Sequence, residues 1–158
     1  MFAHYYSELL AIHGMWRWIV LSAGTTAVVI SIFGLSGKVP YKPAGRIASI
    51  LFISAIDIQI VLGVLLGFAS PIVRAAWGNI AAAMKQHEPR FFGVEHFTAM
   101  LIAVTLAHVG SFRCRRVEGD RAKHMQTVIW YGSTLVVILA GIPWWRPLFR
   151  SVIGSAYE

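Results

Sequence analysis

Four apolar stretches, each long enough to cross a bilayer, fill most of this 158-residue chain. They run from Glu8 to Gly34, Ile47 to Ala69, Phe91 to Phe112 and Met125 to Trp144. A spanning helix needs about 20 mainly apolar residues. Only 13% of the residues are charged, against about 25% in a soluble domain. The expected fold is an all-α integral membrane protein, a single domain over residues 1–158. Four transmembrane helices would form an up-and-down bundle, because the connections are short. Between helices two and three, Pro71 to Gln86 is apolar but interrupted by Arg74, Asn79 and Lys85. That pattern predicts a short helix lying in the interface plane.

Local signals set the helix ends. Ser7-Glu8 suits a first-helix N-terminus, and Pro40 and Pro43 prevent continuation beyond Gly37. His87-Glu88-Pro89-Arg90 reads as a polar break, and Pro143 ends the fourth helix. No basic n-region or small-residue cleavage site precedes the first helix, which is therefore expected to serve as its own insertion signal.

The formal charge is +7. No basic segment is interleaved with base-stacking aromatics, so nucleic acid is not an expected partner. The excess follows instead from basic residues gathering in cytoplasmic loops. Eight of them (Lys38, Lys42, Arg46, Arg113, Arg115, Arg116, Arg121 and Lys123) fall on one side, against Arg74, Lys85, Arg90, Arg146 and Arg150 on the other. That asymmetry predicts a bacterial inner membrane protein with both termini periplasmic. Trp16, Trp18, Trp144 and Trp145 would form an outer aromatic belt. The single cysteine, Cys114, sits in a basic run and reads as an inert thiol in a reducing compartment.

Ionisable residues inside lipid are costly and mark function. His13 and His96 each lie about five residues into helices one and three, roughly 8 Å below the outer end. Those helices run the same way and sit diagonally in a square bundle. Two imidazoles at one depth suit the axial ligation of a single haem b. The same pair also suits hydrogen-bonded core histidines without a cofactor, or a metal, quinone or pigment site. Arg17 shares a face with His13. It suits a haem propionate, or a buried ion pair with Asp57 or Glu95 that fixes helix register. Asp57 could relay protons, and Gln59, on nearly the opposite face, could bond another helix or subunit. His108 is expected to be structural, Met100 to pack in the core, and His4, His87 and His124 to be solvated. No Cys pair, HExxH or Gly-rich phosphate loop is present, and the acids are too scattered for a paired-carboxylate hydrolase.

These residues fall in one order: His13-Gly14-Met15-Trp16-Arg17-Trp18, Asp57-Ile58-Gln59 with Gly63, Arg90-Phe91-Phe92 with Glu95-His96 and Met100, and Gly141-Ile142-Pro143-Trp144. The pattern resembles a family of small four-helix bacterial membrane proteins labelled cytochrome b-like, over nearly the whole chain. The resemblance implies haem b, with His13 and His96 at the matching positions. A helix-two histidine is absent, and Asp57 stands there. Two functions follow as expectations. One is a small membrane subunit of a respiratory or photosynthetic electron-transfer complex, carrying one haem near the periplasmic side. The other is a cofactor-free accessory subunit that packs against a larger membrane complex. Neither makes the chain an independent enzyme.

Overall fold

A computed structural model describes residues 2–37 and 39–146, with side chains from Tyr5 onward. Lys38, Pro147, Arg150 and the side chain of His4 lie outside the described residues. No strand occurs among the described residues. The elements are α1 (Phe2–Gly34), α2 (Ala44–Ala69), α3 (Pro71–Gly78), α4 (Ile80–Ala83), α5 (His87–Arg90), a π-helical turn (Phe91–Glu95), α6 (His96–Arg116) and α7 (Asp120–Gly141).

Three helical runs are long and apolar enough to cross a membrane: 5–34, 44–69 and 87–116. Large apolar side chains such as Met15, Phe33, Val61, Phe68 and Val136 point outward, a surface suited to lipid. The inward faces carry small residues. Ala27, Ala48, Ala55, Ala103 and Ala107 are buried around Phe52 and Tyr131, whose rings meet edge to face at 4.9 Å. Small residues let helix backbones approach where no hydrophobic effect drives them together. α1 packs against α2 and α7, and α6 against α7, while α2 and α6 close the ring only loosely.

Several boundaries differ from expectation. α1 begins at Phe2 rather than near Ser7, since residues 2–7 contain no Gly or Pro to stop it. The expected break at 87–90 is helical and runs on into α6. Pro89 sits in the first turn, where backbone N–H groups have no intrahelical acceptor, so its missing donor costs nothing. The expected helix over 71–86 forms as two pieces. Asn79 adopts φ −150° and accepts from the Ala82 N–H at 3.0 Å, starting α4 afresh. α7 starts five residues before Met125 and ends at Gly141.

α3 packs on the π-helical turn. Its Ala76 lies so close to Gly93 that a Cβ at 93 would fall 2.6 Å from the Ala76 Cβ. Trp77 then stands between Phe68 of α2 and Phe97 of α6, with ring centres 5.9 Å from each. This indole fills the space between the two helices at one end of the bundle.

Candidate functional site

The gap between α2 and α6 holds a cavity of about 380 Å³, lined by His13, Arg17, Gln59, Gly63, Trp77 and His96 among others. Its size falls within the range of small-molecule pockets, roughly 300–1,000 Å³. The sequence-predicted histidines do meet here. Their rings lie 6.4 Å apart, centre to centre, at 75°.

Each histidine is oriented by a neighbouring helix end or side chain. Gly141 is the last residue of α7, so its carbonyl has no intrahelical donor. The Nδ1–H of His96 donates to it at 2.7 Å, which leaves the lone pair on Nε2. A histidine ligand is commonly held this way, with its other nitrogen bonded to a backbone carbonyl. His13 is held from α2. The Gln59 amide donates to the His13 carbonyl at 3.1 Å and lies 3.3 Å from His13 Nε2. Gly63 makes room for the ring, because a Cβ there would stand 3.2 Å from His13 Cε1. Two polar atoms remain buried without a hydrogen-bond partner, His13 Nδ1 and Gln59 Oε1. Inside an apolar helix bundle such orphans are costly.

A b-type haem fits these residues. Two axial imidazoles with metal–nitrogen bonds of about 2 Å have ring centres on the order of 6 Å apart, close to the separation found. The lone pair on His96 Nε2 would hold one side of the iron, and His13 would hold the other through Nδ1 with its proton moved to Nε2, beside the Gln59 side chain. Met100, Phe92 and Phe97 are among the apolar and aromatic residues of the wall, and Arg17 and Arg146 also line the cavity.

Other expectations need correction. The carboxylate of Asp57 takes His108, not Arg17, as its partner: His108 Nε2 stands 2.8 Å from Asp57 Oδ1, joining α6 to α2. Glu95 accepts from Arg90 at 2.7 Å rather than from Arg17. Arg17 instead places its guanidinium over the Trp18 ring at 5.7 Å. Depth along the axis had matched Arg17 with Asp57, but rotation about α2 points the carboxylate toward α6. Trp16 is half-buried. Its indole donates to the Ala55 carbonyl at 2.9 Å between α1 and α2. His124 is not solvated. It is fully buried beneath Gly34, with Nε2 3.2 Å from the Val39 carbonyl.

Two contributors were not visible in the sequence reading. The π-helical turn directly ahead of His96, closed by the His96 N–H on the Phe91 carbonyl, leaves no compositional trace beyond Gly93. Trp77 read only as an interfacial aromatic. Compared with known proteins, the chain matches no family model, and no curated protein or solved structure is found to be similar to it.

Proposed function

We propose that this chain is a small membrane subunit of an electron-transfer complex that holds one b-type haem in the cleft between α2 and α6. The observation that carries this reading is the facing of His13 and His96 at 6.4 Å across a cavity with two unsatisfied polar atoms. His13 and His96 would hold the iron, and Arg17 would face a propionate. Bound there, the haem would supply one-electron transfer within the membrane. The protein's part is to fix both imidazoles through Gly141 and Gln59 and to exclude water with the aromatic wall. In this reading α7 is a fourth span, α3 and α4 lie in the interface plane, and both termini face the periplasm, as the basic connections favour. A reduced-minus-oxidised visible spectrum of the purified protein tests it. The expected result is a b-type band that His13→Ala and His96→Ala abolish while helix content is retained. A folded protein purified without such a band, and unable to take up added haemin, would overturn it.

One observation favours a second reading, the accessory subunit without cofactor. The Asp57 and His108 side chains are 48% and 50% exposed on the flank of the bundle. A polar pair at that position in lipid calls for a covering helix from another subunit. Both readings place the chain within a larger membrane complex.

A further inference from the structure

At the opposite end of the α2–α6 gap lies a second cavity, of about 480 Å³, near the α1–α2 and α6–α7 connections. Four cations line it: Lys42, Arg46, Arg115 and Lys123. They come from the first connection, the start of α2, the end of α6 and the start of α7, so the fold gathers charge from four separate segments. No Asp or Glu lines the cavity among the described residues, and none of the four cations forms an ion pair with a described residue. Like charges repel, so this concentration costs stability unless an anion offsets it.

The inner wall carries hydroxyl groups. Ser49, Ser54, Ser111 and Tyr131 line it. Tyr131 is only 1% exposed, and its hydroxyl is buried beside the Ser49 and Ser111 hydroxyls. Neutral hydroxyls are modest acceptors, and an oxygen anion reaching this phenol would offer its O–H a stronger, charge-assisted hydrogen bond. Ile50 and Ile53 add apolar surface to the lining. Basic cavities between membrane helices recognise phosphate headgroups in this manner.

We propose that this cavity is a binding site for a phosphate-bearing anion, held by Arg46, Arg115, Lys42 and Lys123 and by the hydroxyl of Tyr131. The proposal is independent of the haem reading, since the two cavities share no lining residue. An acidic phospholipid headgroup and free phosphate share this chemistry, and the test separates them. The full-length protein in detergent is titrated with phosphatidylglycerol or phosphatidylcholine and followed by native mass spectrometry and thermal unfolding. A parallel series uses inorganic phosphate against chloride at equal ionic strength. For a lipid site, phosphatidylglycerol binds at least tenfold more tightly than phosphatidylcholine and raises Tm, and phosphate does not. For a soluble ligand, phosphate raises Tm and phosphatidylglycerol does not exceed phosphatidylcholine. Arg46→Gln combined with Arg115→Gln should weaken the binding at least tenfold, and Lys42→Gln with Lys123→Gln serves if the first pair does not fold. Arg74→Gln removes a charge from exposed α3 and should leave binding within twofold. Tyr131→Phe should weaken binding about threefold or more. No response to either phosphatidylglycerol or phosphate, or equal binding by the charge-deleted variants, would overturn the proposal.

Discussion

The indole N–H of Trp77 donates to the carbonyl of Gly93 at 3.0 Å, fastening α3 to the π-helical turn that precedes His96. π-helical turns of this kind are frequent at functional sites. Here the turn is held from outside by a side chain that also separates α2 from α6. One docking contact therefore links the cleft wall to the turn that sets His96.

That contact is testable by exchange of volume. Gly93→Ala would drive a methyl into Ala76, and overpacking of this kind costs typically about 1–3 kcal/mol. Pairing it with Ala76→Gly restores the space, so the double variant should recover most of the loss in detergent thermal unfolding. Additive losses would show that the close approach of α3 is not what limits position 93.

At the His13 wall the limiting dimension is smaller. A Cβ at Gly63 stands 3.2 Å from His13 Cε1, so Gly63→Ala needs a shift of only a few tenths of an ångström. Gly63→Val adds branches that the ring cannot avoid. The expected order is a near-neutral Ala variant and a Val variant destabilised by about 1–3 kcal/mol, with loss of haem absorbance in the Val variant if the haem reading holds. An Ala variant as damaging as Val would mean that backbone freedom, and not the ring, sets the requirement for glycine.

Much of this arrangement was legible in the residues. The apolar runs located the helices. Depth counting placed His13 and His96 at one level, although both helical runs begin earlier than expected and the histidines lie correspondingly deeper. Helical geometry also put Gln59 on a different face from Asp57, and the two side chains reach α1 and α6 respectively. What failed was azimuth. Arg17 and Asp57 match in depth, but a sequence does not say which neighbour a helix face meets. His124 failed for a related reason. Its place among polar residues suggested water, yet the α1–α2 connection folds over it, with the Tyr41 ring 5.2 Å from its own. A polar environment in sequence is not a solvated one when a loop supplies the acceptor. The second cavity was split among loops that counted only as topology signals.

Tyr41 offers a pH-dependent check on that folded-over connection. Its hydroxyl bonds the Ser49 hydroxyl at 2.8 Å and the Cys114 thiol at 3.1 Å. Burial, with the Cys114 hydrogen bond adding to it, pushes the phenol up from 10.0 to about 12. The folded state thus favours the neutral form. Its contribution is complete below the unfolded value near 10 and is lost as pH rises from there through about 12. Tyr41→Phe removes the hydroxyl and should cost about 1 kcal/mol at neutral pH. The Tm difference between wild type and Tyr41→Phe should hold constant to about pH 10 and shrink above it. A difference that widens in alkali would show that the folded state binds the phenolate.

The Asp57–His108 contact makes the sharpest distinction between axial and rotational reasoning. Both side chains are about half exposed to the bundle's surroundings, so in water the pair would contribute little. In a bilayer the alternative to pairing is a carboxylate facing hydrocarbon. Interhelical polar contacts in membrane proteins measure about 0.6 kcal/mol on average and up to about 1.7. A double-mutant cycle over Asp57→Leu and His108→Leu, read by unfolding in lipid nanodiscs, should give a coupling within that range. The cycle over Arg17→Leu and Asp57→Leu should be additive within about 0.5 kcal/mol, as expected when the carboxylate is committed to His108. Strong coupling of Asp57 to Arg17, with none to His108, would mean that α2 is rotated from the position described. The environment supplies a further readout. In detergent, where water reaches the flank, the Asp57–His108 coupling should fall toward zero. If the coupling in the native membrane complex exceeds the nanodisc value, another subunit covers this flank, which is the arrangement the accessory reading requires. Equal values in complex and nanodisc would leave the pair facing lipid and remove the observation that favours that reading.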